Sequence, residues 1–321
     1  PDMSSASSSG RSSNGGRLSI SDGIRIARAA ATNQLARFAP AAYVRLTGQT
    51  GRGDAEQESA GDISQYFRQS ADAYFEKLAI PRESQASFLA GKILMEYGPG
   101  DLPGVAALMI ARGAEKVYCI DRFPLVNLSE KNSCVLAHLI DGSHGAERDR
   151  LIGCLKDKND PQAGFDPRRI EYLVRPGGLS GLIDAVDLVF SRAVLEHVNE
   201  LDATLRDMST AMRLGATAIH LVDLRSHGLH KSNPLDFLEW SPLLWRLMYS
   251  QKGVPNRWRI DTYRSLVAEL PVRQVLLEAT KLASIADVAA VRPRLAEPFR
   301  GVSDEELCWL GFWLVFRKEA G

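Results

Sequence analysis

From residue 92 onward, short apolar runs of strand length alternate with stretches of helical periodicity. The runs are Lys92–Tyr97, Lys116–Ile120, Arg169–Val174, Asp187–Ser191, Ala216–Val222, Val272–Ala279 and Cys308–Arg317. Between two of them, Leu201, Leu205, Met208 and Met212 recur at the spacing that puts apolar side chains on one helix face. Gly215 then stands where a helix C-cap is expected. Upstream, Ile63–Leu78 reads as a helix carrying Tyr66, Phe67, Tyr74 and Phe75. Strands separated by helices predict an α/β fold, a Rossmann-like and mostly parallel sheet with right-handed crossovers and helices on both faces.

Several segments have no place in a minimal sheet. Residues 1–16 are small and polar, a composition that buries too little apolar surface to order itself. Residues 17–62 form a basic amphipathic segment followed by a Gly- and acid-rich linker over 48–62. In the first part Ile20, Ile24, Ile26, Ala29 and Leu35 sit among Arg25, Arg28, Arg37 and Arg45. Such a segment reads as a membrane-surface or targeting helix, or as a helix capping a cleft with solvated arginines; the second is the expectation. The main domain is expected over 63–321, with insertions at about 224–265 and 281–306. The first insertion interleaves Trp240, Trp245, Tyr249, Trp258 and Tyr263 with Arg246, Arg257 and Arg259. These residues suit either an acceptor pocket that stacks on a sugar or anion, or an aromatic mini-core under a lid.

Chemistry concentrates at Glu96-Tyr97-Gly98-Pro99-Gly100, directly after the first strand. Glycine is needed where backbone approaches a ligand closely or takes positive φ. About twenty residues on, Asp121 ends the second strand, placed to accept hydrogen bonds from a ribose diol. A dinucleotide turn would require a third glycine at position 103, which is Pro103; the next glycine is Gly104. Glu96 suits a ligand carrying a cationic amino acid in place of a pyrophosphate.

A second block, Asp187 to Val198, includes Ser191, Glu196 and His197, and is followed by Arg213-Leu-Gly215 and by Val222-Asp223-Leu-Arg225-Ser-His227. With the first block, it resembles the class I S-adenosylmethionine-dependent methyltransferases, in particular a bacterial methyltransferase-11-like subset of unassigned substrate, over roughly residues 64–318. The resemblance implies S-adenosylmethionine as cofactor, a last strand running antiparallel, and cofactor contacts from Glu96, Gly98, Gly100, Asp121, Arg122 and Ser191. Phe123 would flank the adenine with Arg122. His197 is the first choice for general base, His227 the second, with Asp223 beside it. His220, within an apolar strand, is expected to be a core histidine. No metal is expected, because relatives that place one on this helix carry an extra carboxylate where Ala193 stands.

Bulk properties narrow the rest. In 321 residues, 39 basic and 39 acidic side chains balance, so nothing favours nucleic acid as a partner. Four cysteines without C-x-x-C pairing fit reduced thiols and a cytoplasmic setting. The expectation is methyl transfer to a small-molecule or carbohydrate-like acceptor, with oxygen as the expected atom. The alternatives are an N-methyltransferase, a non-catalytic relative kept as an interaction protein, and an NAD-dependent oxidoreductase.

Overall fold

The computed structural model describes residues 20–47, 58–175, 177–230 and 232–319. The expected unstructured start over 1–16 and most of the expected linker over 48–62 lie outside the described residues. Three helices lead the chain: α1 (Ile20–Phe38), α2 (Pro40–Thr47) and α3 (Ala60–Lys77). A short α4 (Gln85–Leu89) precedes β1 (Ile93–Tyr97), α5 (Gly104–Ala111) and β2 (Lys116–Asp121). Then come α6 (Glu130–Asp141), α7 (Gly145–Ile152), the hairpin β3 (Leu155–Asp157) and β4 (Asp160–Phe165), and β5 (Ile170–Val174). The second half runs β6 (Val186–Arg192), α8 (Leu201–Ala211), β7 (Met212–Asp223), α9 (Pro242–Tyr249), α10 (Ile260–Ala268) and β8 (Val272–Leu282). It closes with α11 (Ile285–Val291), α12 (Glu297–Arg300), α13 (Asp304–Leu307) and β9 (Trp309–Lys318).

Seven strands form one sheet in the order β5-β2-β1-β6-β7-β9-β8. β1 is parallel to β2 and β6, and β9 alone runs against its neighbours β7 and β8. The fold is therefore a Rossmann-like α/β sheet with the last strand reversed, as expected. Strand order turns back between β1 and β6, and in open sheets that switch point leaves a crevice beyond the carboxyl ends of the strands.

Period-two alternation decides which residues face which layer. Leu94 packs on one face with Phe67, Tyr74 and Phe75 of α3 and with Val105–Ala111 of α5; Met95 and Tyr97 pack on the other with Leu205 and Met208 of α8. α5 is apolar on all sides because the sheet and its neighbours enclose it completely.

Two elements differ from the sequence reading. Gly215 is not a helix cap. The chain passes from α8 straight into β7, and Gly215, at φ +80°, sits where the β6–β7 register slips between Val186↔Met212 and Leu188↔Thr217. A left-handed glycine serves a bulge as well as it serves a cap, and the sequence cannot separate the two. Arg213, in the same turn, pairs with Asp187 at 2.9 Å. The β3–β4 hairpin is the other surprise, since Asp160-Pro161 and Gly164 mask a short edge pair.

The N-terminal helices and the insertion meet. Asn33 of α1 donates to the carbonyls of Arg246 and Leu247 in α9, at 3.3 and 2.9 Å. Beneath α9 lies a separate apolar core in which Phe237 and Trp245 pack with Val288, Val291 and Phe299.

Candidate functional site

A cavity of about 770 Å³ opens at the switch point, floored by Gly98 and Gly100 and walled by Asp121, Phe123, His197 and His227. Gly98 and Gly100 take φ values of +65° and +72°, a region that costs an ordinary residue about 1–2 kcal/mol. The Gly98 N–H donates to the Ile120 carbonyl at 2.8 Å, which pins the turn to the end of β2. A Cβ on Gly98 would lie 2.4 Å from Val194, so the turn and the segment after β6 touch through a bare backbone. Gly104 opens α5, and a Cβ there would lie 2.4 Å from the Phe67 ring. The helix-packing role of a dinucleotide motif's third glycine is thus present, displaced by one residue and directed at α3.

Asp121 ends β2 at the cavity wall. One carboxylate oxygen, Oδ1, accepts from the Phe123 N–H at 3.0 Å; Oδ2 is buried and has no partner. Burial pushes the carboxyl up to about 6, with backbone N–H groups of Phe123 and Arg122 opposing it. A buried acceptor without a donor costs about 1–3 kcal/mol, which a ligand hydroxyl would recover. Phe123 lines the cavity and packs on Tyr43 of α2, ring centres 6.0 Å apart, while Arg122 lies 4.6 Å above the same ring. Gly177 and Gly178 face them from the loop after β5. That loop is held by Asp207 of α8, which accepts from the N–H groups of Ser180 and Gly181 at 2.7 and 2.9 Å and from the Tyr97 hydroxyl.

Two residues expected at the cofactor stand behind the wall instead. Glu96 points to the α5 side of the sheet, where the Cys119 thiol donates to it at 3.8 Å and the Ala106 N–H of the first α5 turn also bonds. Burial raises its carboxyl to about 8, so it is largely protonated at neutral pH. It caps the turn's helix and does not line the cavity. Ser191 is buried too, its hydroxyl 2.7 Å from Nδ1 of His220, and it reaches no cavity surface. His220 is the core histidine that its apolar strand implied; burial depresses it to about 3.

The opposite wall brings together residues thirty positions apart. The His197 and His227 rings meet edge-on, centroids 4.9 Å apart, and both line the cavity. His197 sits in the short turn after β6, which Asn256 clamps by donating to the carbonyls of Leu195 and Val198 at 2.9 and 2.8 Å. Burial, reinforced by His227, depresses His197 to about 3, leaving it neutral and a weak proton acceptor. His227 is half-exposed at φ +50°, with Nε2 3.5 Å from the Asp223 carbonyl and 3.9 Å from its carboxylate. Burial acts to raise the Asp223 carboxyl, but hydrogen bonds and charge from Arg225 outweigh it and hold the group below the usual range. Asp223 itself lies under His227 and off the cavity surface. Glu196, His197 and His227 offer ligand atoms within 4.8 Å of one another, the one such trio among the described residues.

Sequence reasoning missed Arg192, Tyr66 and Asn256. Arg192 and Tyr66 line the cavity with the guanidinium 5.7 Å from the ring centre, and Nη1 of Arg192 is buried without a partner. Nothing in the sequence marked them, because they belong to elements 126 positions apart. The arginines of the insertion behave differently. Arg257 donates to the carbonyls of Phe237 and Trp240, at 3.3 and 2.6 Å, and stacks on Trp245 and Phe299. Arg259 is fully buried and donates to the carbonyls of Leu224, Leu307 and Trp309. Of this aromatic set, Trp245 with Trp240 and Tyr249 packs in the mini-core, whereas Tyr263 belongs to the core of the main sheet and Trp258 is exposed.

No protein-family model matches the chain, and no curated protein matches it. Solved structures that match include an S-adenosylmethionine-dependent methyltransferase from Mesorhizobium loti, 15% identical, covering 78% of this chain and 100% of that one, TM-score 0.42. Another is the [4+2]-cyclase SpnF, 14% identical, covering 79% and 81%, TM-score 0.39. The CurJ carbon methyltransferase is 10% identical over 72% of this chain and 50% of that one, TM-score 0.34. At such distances the likeness carries no chemistry to this chain, whose own strand order and cavity must carry it.

Proposed function

We propose that this protein is an S-adenosylmethionine-dependent methyltransferase acting on a small-molecule acceptor, at oxygen. The observation that carries the reading is the unpartnered Oδ2 of Asp121, buried at the end of β2 across from a glycine turn that no side chain could enter. Together they suit a ribose diol above bare backbone. Pro103 in place of the third glycine disfavours a pyrophosphate, which sets the nicotinamide alternative behind this one. Arg192, whose Nη1 is buried without a partner beside Tyr66, suits the carboxylate of an amino-acid group, and Phe123 with Tyr43 suits the adenine. Glu96 contributes by holding the turn and α5 in register.

When bound, S-adenosylmethionine supplies an electrophilic methyl group for in-line transfer. The chain's task is to hold an acceptor nucleophile at near-attack distance and to take its proton. Of the two cavity histidines, His227 suits the proton. It is half-open, Asp223 backs its Nε2, and Nδ1 is left to accept, whereas His197 is held neutral and weakly basic. His197 and Asn256 then position the acceptor wall. An amine acceptor would need less of His227, and that difference separates O- from N-transfer.

Calorimetric titration of the full chain with S-adenosylmethionine, S-adenosylhomocysteine and NAD tests the reading. The wild type is expected to bind the first two and not the third. Asp121→Asn, which keeps the shape but removes the charge, is expected to weaken binding about 10- to 100-fold, the worth of a charge-assisted hydrogen bond. Tight NAD binding, or unaltered affinity in the variant, overturns it.

A further inference from the structure

The chain is neutral overall, yet one of its faces is not. On α1 the exposed positions Ile24, Ala27, Arg28, Ala31, Gln34 and Phe38 follow helical spacing, so they share one stripe. α2 continues it with Ala41, Ala42, Arg45 and Leu46, and α9 presents Leu243, Arg246 and Leu247 beside it. Asn33 ties α1 to the carbonyls of Arg246 and Leu247, so the outer faces of the two helices lie side by side. Phe38, Leu46 and Leu243 are 75%, 74% and 79% exposed, far beyond what scattered surface leucines require. Arg28, Arg37, Arg45 and Arg246 are exposed among them, and no described side chain of these three helices is acidic.

We infer that the α1–α2–α9 face is a docking surface for an anionic lipid bilayer. Large apolar side chains set among arginines, with no acid among the three helices' described side chains, match an interface where hydrocarbon and anionic headgroups are adjacent. A second copy of the chain fits poorly, because a two-fold contact would bring each arginine cluster against its twin. Nucleic acid would use the charge but leave the apolar side chains in water. The surface is independent of the methyl-transfer reading, though it adjoins that site: Tyr43 of α2 packs on Phe123, and Thr47, the last α2 residue, lines the cavity.

Sedimentation of the full chain with vesicles tests this, comparing phosphatidylcholine alone with a phosphatidylcholine–phosphatidylglycerol mixture. A preference of about a hundredfold for the anionic vesicles, reduced by added salt, is expected from four arginines near the surface. Leu46→Asp with Leu243→Asp should cut binding by about tenfold or more, with the melting temperature and the affinity for S-adenosylhomocysteine unchanged, since both side chains are in solvent. Equal or absent binding to both vesicle types overturns the inference. So does binding indifferent to the leucine replacements, with an oligonucleotide competing as well as lipid. A dimer in solution that Leu243→Asp dissolves, without vesicle binding, would give the face to a second copy instead. Each readout stands whether or not the chain transfers methyl groups.

Discussion

The cavity wall and the insertion both bury charged and polar groups, but they complete them differently. In the insertion, the guanidinium ends of Arg257 and Arg259 donate to backbone carbonyls and Arg257 stacks on Trp245, each arginine leaving only Nε buried without a partner, away from the cavity. Along the cavity, Asp121 Oδ2 and Arg192 Nη1 are buried without partners. A buried arginine tied to carbonyls away from any cavity organises a fold; an unpartnered buried atom beside a cavity marks where a ligand belongs. The same residue types therefore carry opposite meanings, and whether an unpartnered atom borders the cavity separates them better than composition does.

Four experiments press on this comparison. The largest effect is expected from His227→Gln on the ligand side: a fall in kcat of about 100-fold or more, with the affinity for S-adenosylhomocysteine unchanged. Dialysis against a chelator should leave the activity intact; loss that a divalent cation restores would reassign His227, His197 and Glu196 to metal binding. Next, Arg257→Met on the structural side should lower unfolding stability by about 2 kcal/mol, because two carbonyls lose their donor, while cofactor affinity stays put. A loss of cofactor binding without destabilisation would break the comparison. The smallest is a pH effect. An ionised Asp121 is the form that accepts ribose hydroxyls, and its group in the free protein is placed at about 6. Affinity for S-adenosylhomocysteine should then be flat above that pH and about tenfold weaker at pH 5 than at pH 7, since below its pKa a proton must leave first. The Asp121→Asn protein should lack this dependence.

How much of this was legible beforehand depends on distance along the chain. The glycine turn and Asp121 lie within one strand–helix–strand unit, where spacing in sequence translates directly into position. The family resemblance, not spacing, pointed to Glu96 and Ser191. It placed both near the cleft, but the alternation of β1 turns Glu96 toward α5, and β6 aims Ser191 at His220. Gly215, expected as a helix cap, serves a bulge instead, since a positive φ is all that a glycine advertises.

Local pattern alone determined the alternation of strands and helices, the turn with its acid, and the basic amphipathic start, because periodicity and backbone freedom are properties of neighbours in sequence. Tertiary structure decided the reversal's place in the sheet, the meeting of His197 with His227, the cation at Arg192, and the closed core of the insertion. Those contacts join segments separated by 30 to more than 100 positions, and which polar group finds a partner is settled only when the packed layers choose its neighbours.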